Sequence, residues 1–232
     1  MPPQVDFYFD VGSPAAYLAF TQIEAIAREA GASVNHKPML LGGVFQATGN
    51  ASPATVPAKG AYTFTDFDRF ARRYGVPLKR NPHFPINTLA LMRAVTGMQM
   101  REPARFLDFT RTVFESIWLH ALNMNDPAVV AQVLQQAGYA PDAVLALSAD
   151  PQVKAQLKAV TDEAVARGVF GAPTMFVGDQ MFWGRTGWIG CGRHWQRPDQ
   201  SPPLAPPCTV KSRTNGACHD RHHHRRPPRS PP

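Results

Sequence analysis

A serine and a proline stand where the first apolar segment of the chain ends and a helix is predicted to begin. Residues 5–10 favour a strand, and Ser13-Pro14 is a typical helix start, because serine caps free N–H groups and proline has none to lose. A hydroxyl at this position can donate a hydrogen bond to a bound anion, which the positive end of the helix dipole also favours. Ser13 is therefore a candidate binding residue, and the alternative is that it only caps the helix.

The segment that contains Ser13 has no thiol. The three cysteines of the chain are Cys191, Cys208 and Cys218, so everything before them lacks one. This segment cannot form or exchange a disulfide by itself, which excludes a self-contained disulfide oxidoreductase. Thiol chemistry near Ser13 needs a thiol supplied from outside.

The elements that must position Ser13 form a strand–helix–strand unit. A strand at 5–10, a helix at 14–30 and a strand at 33–39 predict a right-handed βαβ unit. Residues 41–87 predict a loop around one helix at 65–74. Asn87 is predicted to cap the next helix, and acidic residues before Pro103, Pro127 and Pro151 indicate further helix starts. A short helix is predicted at 141–148.

A β-hairpin is predicted after the helical region. The apolar segments 174–177 and 180–183 flank Gly178-Asp179, which suits a two-residue turn. The predicted fold class is α/β, with one mixed sheet and an all-helical insertion. Its parts are a βαβ unit at 5–40, a mainly helical insertion at 41–168 and a hairpin at 173–184.

Residues 185–232 differ in composition from the rest of the chain. They hold nine of the 24 lysines and arginines, two of the 17 acidic residues and nine of the 23 prolines. They account for the whole net charge of +7, and residues 1–184 are neutral. Because this segment has few apolar residues, it cannot offset the entropy cost of ordering, and we predict a disordered, basic, Pro-rich tail.

The sequence also bears on membrane, metal and nucleic-acid binding. No apolar run reaches the ~18 residues of a membrane-spanning helix, and the N-terminus lacks a basic secretory signal, so we expect a cytoplasmic protein without a membrane partner. The cysteines and histidines of the tail match no zinc spacing, so no metal site is predicted. Its arginines accompany no base-reading module, so no specific nucleic-acid partner is predicted.

The combined motifs of residues 1–184 resemble a known family. The segment resembles the 2-hydroxychromene-2-carboxylate isomerases and the related kappa-class glutathione transferases, which implies a thioredoxin-like fold with inserted helices. Each motif alone is weak, whereas the combination is specific. The matching motifs are Phe9-Asp10-Val11-Gly12-Ser13-Pro14, Thr48-Gly49-Asn50, Lys59-Gly60-Ala61-Tyr62, Gly168-Val169-Phe170-Gly171-Ala172-Pro173-Thr174 and Met181-Phe182-Trp183-Gly184.

The resemblance implies a glutathione site. Ser13 stands where redox members of the superfamily carry the attacking cysteine, which implies that its hydroxyl holds the glutathione thiolate. The bond before Pro173 is expected to be cis, leaving the N–H and C=O of Ala172 free to pair with the cysteinyl part of glutathione. The side chain of Asn50 is expected to contact the peptide, and Lys59 a carboxylate. The alternatives are a trans proline, a turn-forming asparagine and a surface lysine.

The implied activity is glutathione-dependent isomerisation of a 2-hydroxychromene-2-carboxylate-type aromatic acid. The thiolate adds to an electron-poor carbon, the ring opens, and elimination restores glutathione. The alternatives are a kappa-type transferase or peroxidase, and a non-catalytic product with an altered C-terminus. Tyr8, Tyr17 and Trp183 either line a pocket for the aromatic substrate or belong to the core. A homodimer is left open.

The chain departs from the family after Gly184. Relatives continue from Phe-Trp-Gly into an Asp-Arg-Leu segment, whose acidic residue helps to hold the amino end of glutathione, and a final helix. Here Gly184 is followed by Arg185-Thr186-Gly187. One codon choice for 185–191, read one base earlier, encodes Asp-Arg-Leu-Asp-Trp-Val. We therefore hypothesise a single-base frameshift near residue 185, and the alternative is a divergent tail.

Overall fold

One mixed sheet of four strands organises residues 3–184, the part of the chain that the computed structural model describes. The strands are β1 Gln4–Phe9, β2 Ser33–Pro38, β3 Thr174–Val177 and β4 Gln180–Trp183. Their order is β2-β1-β3-β4, with β1 parallel to β2 and antiparallel to β3, and β3 antiparallel to β4. The predicted mixed sheet is confirmed. The boundary at residue 184 stays a prediction, because the predicted tail and frameshift lie outside the described residues.

Helices make up most of the described chain. All but the first lie between β2 and β3, as the predicted helical insertion requires. None of the described helices has the length and apolar character needed to cross a membrane. The helices are α1 Pro14–Glu29, α2 Leu41–Thr48, α3 Pro57–Tyr74, α4 Leu89–Arg101, α5 Phe106–Trp118, α6 Pro127–Gln136, α7 Pro141–Ala149 and α8 Pro151–Ala166.

Strand β1 is buried on both faces, which explains its imperfect alternation of apolar and polar residues. Successive side chains of a strand point to opposite faces. Val5, Phe7 and Phe9 belong to the larger core cluster, which also takes residues from α1, α4 and α5. Tyr8 belongs to a second cluster with residues from α2 and α8. The sheet is therefore covered by helices on both sides, and its first strand delivers the segment that ends at Ser13.

The prediction of one helix within 41–87 is wrong, because α2 and α3 both form there. Helix α2 contains Gly42 and Gly43, and glycine is a poor helix former. Packing overrides this preference: a Cβ on Gly43 would lie 3.2 Å from Thr161 Cγ2, so the glycine permits close approach to α8. Helix α3 begins at Pro57, eight residues before its predicted start at 65.

Candidate active site

Ser13 connects the start of α1 to the segment before β3. It is the N-cap of α1, and its Oγ accepts a hydrogen bond from Ala16 N at 3.2 Å. The same hydroxyl donates to the carbonyl oxygen of Ala172 at 3.0 Å. Ser13 is only 6% exposed. Ser13 is therefore a helix cap, as one alternative held, and its buried hydroxyl also donates to the segment before β3.

The Ala172–Pro173 peptide bond is cis, as predicted. The expectation that both backbone groups of Ala172 are free is wrong for one of them, because its C=O accepts the Ser13 hydrogen bond. Its N–H has no acceptor among the described residues. The N–H of Ala15, in the first turn of α1, also lacks an acceptor there. Two backbone donors and one hydroxyl thus lie at this junction.

Asn50 lies at the edge of the same region, but its amide is already used. Its Nδ2 donates to Phe170 O at 2.7 Å, and its Oδ1 accepts from Ala51 N at 2.8 Å. Asn50 follows Gly49, which ends α2 with a φ of 69°. The side chain therefore fastens the loop after α2 to the segment that leads to Pro173.

Lys59 is separated from the other predicted residues. It lies in the first turns of α3 with an exposed side chain, and it does not line the cavity beside Ser13. Gly60, its neighbour, does line the cavity, and it also packs closely against Ala54, since a Cβ there would lie 3.1 Å from Ala54 Cα. The structure thus brings Ser13, Asn50 and Ala172 together around one space and leaves Lys59 outside its lining.

A cavity of about 1070 Å³ opens beside Ser13. Its walls come from the starts of α1, α2 and α4, from one face of α3 and from the segment before β3. Most of the lining is apolar, and aromatic rings predominate among the large side chains. The aromatic residues that line it are Phe45, Phe64, Phe67, Phe84, Phe170 and Trp183.

Trp183 forms the wall next to the cis-proline segment. Its ring centroid lies 5.0 Å from that of Phe170, and the side chain is 49% exposed. A Cβ on Gly171 would lie 2.7 Å from Trp183 Nε1, so the indole packs directly over a residue that must lack a side chain. Tyr8, Tyr17 and Trp183 were expected either to line a substrate pocket or to belong to the core, and Trp183 lines the cavity.

Tyr8 and Tyr17 are core residues. The Tyr8 hydroxyl donates to Glu163 at 2.6 Å, and burial, followed by this hydrogen bond, raises the pKa of Tyr8 to about 12. The Tyr17 hydroxyl donates to Pro77 O at 3.2 Å, and burial raises its pKa to about 12. Neither phenol is suited to proton transfer at neutral pH.

Asp10 is the ionisable side chain among the described cavity-lining residues, and it received no role in the sequence analysis. Its Oδ1 accepts from Gly12 N at 2.8 Å, and its Oδ2 accepts from Leu41 N at 2.8 Å and from Thr88 Oγ1 at 3.1 Å. Burial raises the pKa of Asp10, and the three hydrogen bonds act against this rise. The Asp-x-Gly spacing was the available sequence signal, since aspartate often accepts from the backbone two residues later.

The cavity can therefore hold an anion through dipoles rather than through a cationic side chain. The described lining contains no lysine, arginine or histidine. The Ser13 hydroxyl and the N–H groups of Ala15 and Ala172 are its donors at the start of α1. No cluster that could hold a metal ion occurs among the described residues, and the tail cysteines and histidines lie outside them.

Comparisons with known proteins confirm the predicted thioredoxin-like fold. The profile of the DSBA-like thioredoxin domain matches residues 4–189. The 2-hydroxychromene-2-carboxylate isomerase of Sphingobium xenophagum is 30% identical over 186 residues, which are 79% of this chain and 93% of that protein. Glutathione S-transferase kappa 1 of Caenorhabditis elegans is 28% identical over 178 residues, 74% of this chain and 79% of that protein. A solved 2-hydroxychromene-2-carboxylate isomerase superimposes with a TM-score of 0.73 at 27% identity, covering 84% of this chain and 95% of the other.

Proposed function

Because the chain belongs to the DSBA-like thioredoxin family and, within it, to the group of 2-hydroxychromene-2-carboxylate isomerases and kappa-class glutathione transferases, we propose that it is a glutathione-dependent isomerase. The proposed substrate is an aromatic acid of the 2-hydroxychromene-2-carboxylate type, as the name of the Sphingobium relative indicates for that protein. Glutathione is the proposed cofactor.

One observation carries the proposal. The Ser13 hydroxyl lies at the start of α1, beside an apolar cavity of about 1070 Å³, in a chain with no cysteine before Cys191. A thioredoxin-like site without its own thiol is suited to hold a thiol that arrives with a small molecule. Ligand cavities are typically about 300–1,000 Å³, so this volume accommodates a tripeptide together with a bicyclic acid.

The chain's own groups fit a glutathione thiolate. Bound glutathione supplies a sulfur nucleophile. Ser13 can turn its hydroxyl from the Ala172 carbonyl to the sulfur and still accept from Ala16 N. The N–H of Ala15 and the dipole of α1 favour negative charge at the same place. The N–H of Ala172 can pair with a peptide carbonyl of glutathione, as in the addition of a short strand.

The aromatic wall supports an aromatic substrate. Phe64 contacts Phe67 and Phe84 edge-on, with ring centroids 5.9 Å apart in both pairs, and all three residues line the cavity. Such rings bind a flat apolar body and exclude water, which strengthens the hydrogen bonds to an anion. Arg80 lies over the Phe64 ring at 4.9 Å and supports this wall from outside the cavity lining.

A kappa-type glutathione transferase or peroxidase is the second candidate function. The identity to the nematode kappa enzyme supports it, because the same cavity could hold another electrophile. The third candidate is a non-catalytic product altered at its C-terminus. Two assays separate these functions: isomerisation of 2-hydroxychromene-2-carboxylate, and conjugation of a chloronitrobenzene, each with and without glutathione.

The deciding experiment is a calorimetric titration of the full chain with glutathione. We expect saturation below millimolar concentrations, and glutathione-dependent isomerisation in the assay. Binding with conjugation alone would favour the transferase, and binding without either activity would favour the non-catalytic product. No saturation at several millimolar would overturn the glutathione function.

A further inference from the structure

We infer that Asp10 is a positioning residue of this site, whose carboxylate holds the starts of α1, α2 and α4 together around the thiolate position at Ser13. This inference deepens the proposed function and rests on it. Asp10 does not act on the reacting atoms in this account. It acts through the backbone that carries Ser13.

The carboxylate of Asp10 joins three segments that are distant in sequence. Gly12, which donates to Oδ1, immediately precedes Ser13. Leu41, whose N–H donates to Oδ2, is the first residue of α2. Thr88, whose hydroxyl donates to the same oxygen, is the N-cap residue of α4. All three residues line the same cavity.

A carboxylate is the group that these donors require. Asp10 is 1% exposed, so its oxygens must be satisfied within the protein. Two backbone N–H groups and a hydroxyl face two oxygens that can both accept. An amide would offer one accepting oxygen and would direct an NH₂ group at other donors. The charge of Asp10 thus has a role in assembling the site that an asparagine could not fill.

The connection to Ser13 is short and tightly packed. The backbone C=O of Asp10 accepts from Ser13 N at 3.0 Å. A Cβ on Gly12 would lie 2.8 Å from Thr88 Cγ2 and 3.3 Å from Asp10 Oδ1. Because there is no free space between these groups, a shift of the carboxylate is transmitted to Gly12 and then to Ser13.

Substitutions at Thr88 test the inference without removing the buried charge. Thr88→Val keeps the shape and deletes the hydroxyl, and Thr88→Ser keeps the hydroxyl. Thr96→Val is the matched control, since Thr96 is a buried threonine of the same helix whose hydroxyl donates to Met92 O at 2.8 Å. The measurements are kcat and KM with glutathione, and the pKa of the bound thiol from its ultraviolet absorbance. A further measurement is the affinity of each variant for S-methylglutathione, which cannot ionise at sulfur.

We expect Thr88→Val to lower kcat/KM roughly tenfold, equivalent to about 1.4 kcal/mol, and to raise the thiol pKa of bound glutathione. Affinity for S-methylglutathione should stay within about twofold of the parent value, because this ligand has no thiolate to stabilise. A general loss of structure would lower this affinity as well, so the measurement separates the two causes. Thr88→Ser should restore most of the activity, and Thr96→Val should match the parent. Equal activity of Thr88→Val and the parent, or equal impairment of the valine and serine variants, would overturn the inference.

Amide hydrogen exchange gives a test that needs no ligand. In Thr88→Val, the N–H groups of Gly12 and Leu41 should exchange several times faster than in the parent, because they donate to the same carboxylate that Thr88 holds in place. Unchanged exchange contradicts the role of Asp10 whatever the activity. If the parent fails to bind glutathione, the proposed function fails, and the exchange rates still decide whether Asp10 holds the three segments together.

Discussion

The Oγ of Ser13 lies 3.0 Å from the carbonyl oxygen of Ala172, so a single hydrogen bond spans 159 positions of sequence and joins the first helix to the cis-proline segment. This bond places the candidate anion site between the two ends of the thioredoxin-like domain. Because a hydroxyl has one proton to donate, a ligand that accepts a hydrogen bond from Ser13 must replace the Ala172 carbonyl oxygen as the acceptor.

Ser13→Ala should lower glutathione-dependent turnover by about ten- to a hundredfold, because a hydrogen bond to a charged group is worth roughly 1.5–3 kcal/mol. The lost cap should lower the free energy of unfolding by only about 1 kcal/mol. Asp126→Ala is the control: Asp126 caps α6 by accepting from Ala128 N, away from the cavity. It should lose similar stability and keep its activity. Full activity in Ser13→Ala would reduce Ser13 to a helix cap.

Asn50→Ala should weaken glutathione binding by about five- to tenfold, with little change in melting temperature. The variant releases Phe170 O from the amide, so the loop after α2 is no longer fastened to the cis-proline segment. Asn35→Ala is a matched control, because the Asn35 amide donates to Asp6 on the sheet, outside the cavity lining. Calorimetry checks both variants, and parent-like affinity in Asn50→Ala would contradict the role.

Gly171→Ala should displace Trp183, because the new Cβ would lie 2.7 Å from the indole Nε1. We expect weaker binding of the aromatic substrate and a shifted tryptophan fluorescence signal. Combining Gly171→Ala with Trp183→Phe should give less than the sum of the two single effects, since the smaller ring removes the clash. Additive losses in this double-mutant cycle would show that the two residues act independently.

His36 predicts a dependence of stability on pH. Its side chain is surrounded by aromatic rings, and burial lowers the pKa of His36 to about 4, although Nε2 lies 3.5 Å from Glu24 Oε1. Between about pH 6.5 and 4 the unfolded chain binds a proton that the folded chain does not, so stability falls as the pH falls, by on the order of 3 kcal/mol.

His36→Leu should remove most of this acid-side loss. Urea unfolding at several pH values between about 4 and 7 measures it. The exposed His120→Gln should follow the parent curve and serves as the control. If the free energy of unfolding of His36→Leu falls with pH as steeply as that of the parent, the loss of stability belongs to the carboxylates instead.

The frameshift hypothesis gives a prediction about residues 185–232. Replacing them with an Asp-Arg-Leu-type helix should raise both melting temperature and glutathione affinity, because under this hypothesis it restores the acidic contact and the final helix that the family resemblance implies. Ending the chain after Gly184 should change neither property much. Strong destabilisation on truncation would contradict the frameshift hypothesis, as would a gene sequence whose shifted frame does not encode Asp-Arg-Leu after Gly184.

Local patterns were sufficient to predict the sheet and most helices. The Ser-Pro start of α1, the Asp-Pro starts of α6 and α8 and the Gly178-Asp179 hairpin turn depend on short-range geometry, which sequence carries directly. Helix α2 was missed because its Gly-Gly start is stabilised by contacts with Asp10 and α8, not by intrinsic propensity.

The site was predictable only in part for a similar reason. Ser13, Asn50 and Ala172 were expected near one ligand, and they do line one cavity. The hydrogen bonds from Ser13 to Ala172 and from Asn50 to Phe170 depend on tertiary distances that sequence spacing does not reveal. Asp10 was overlooked because two of its three donors, on Leu41 and Thr88, lie 31 and 78 residues away in sequence.

The absence of lysine, arginine and histidine from the described cavity lining affects how ligands arrive. The field of a hydroxyl or N–H dipole falls off faster with distance than that of a full charge, and residues 1–184 have no net charge. This part of the protein therefore offers an approaching anion little long-range attraction, and selects it after entry. For a chain that ends at Gly184, association with glutathione should therefore proceed at an ordinary, unsteered rate that is nearly independent of ionic strength, and discrimination among thiols should appear in their dissociation rates.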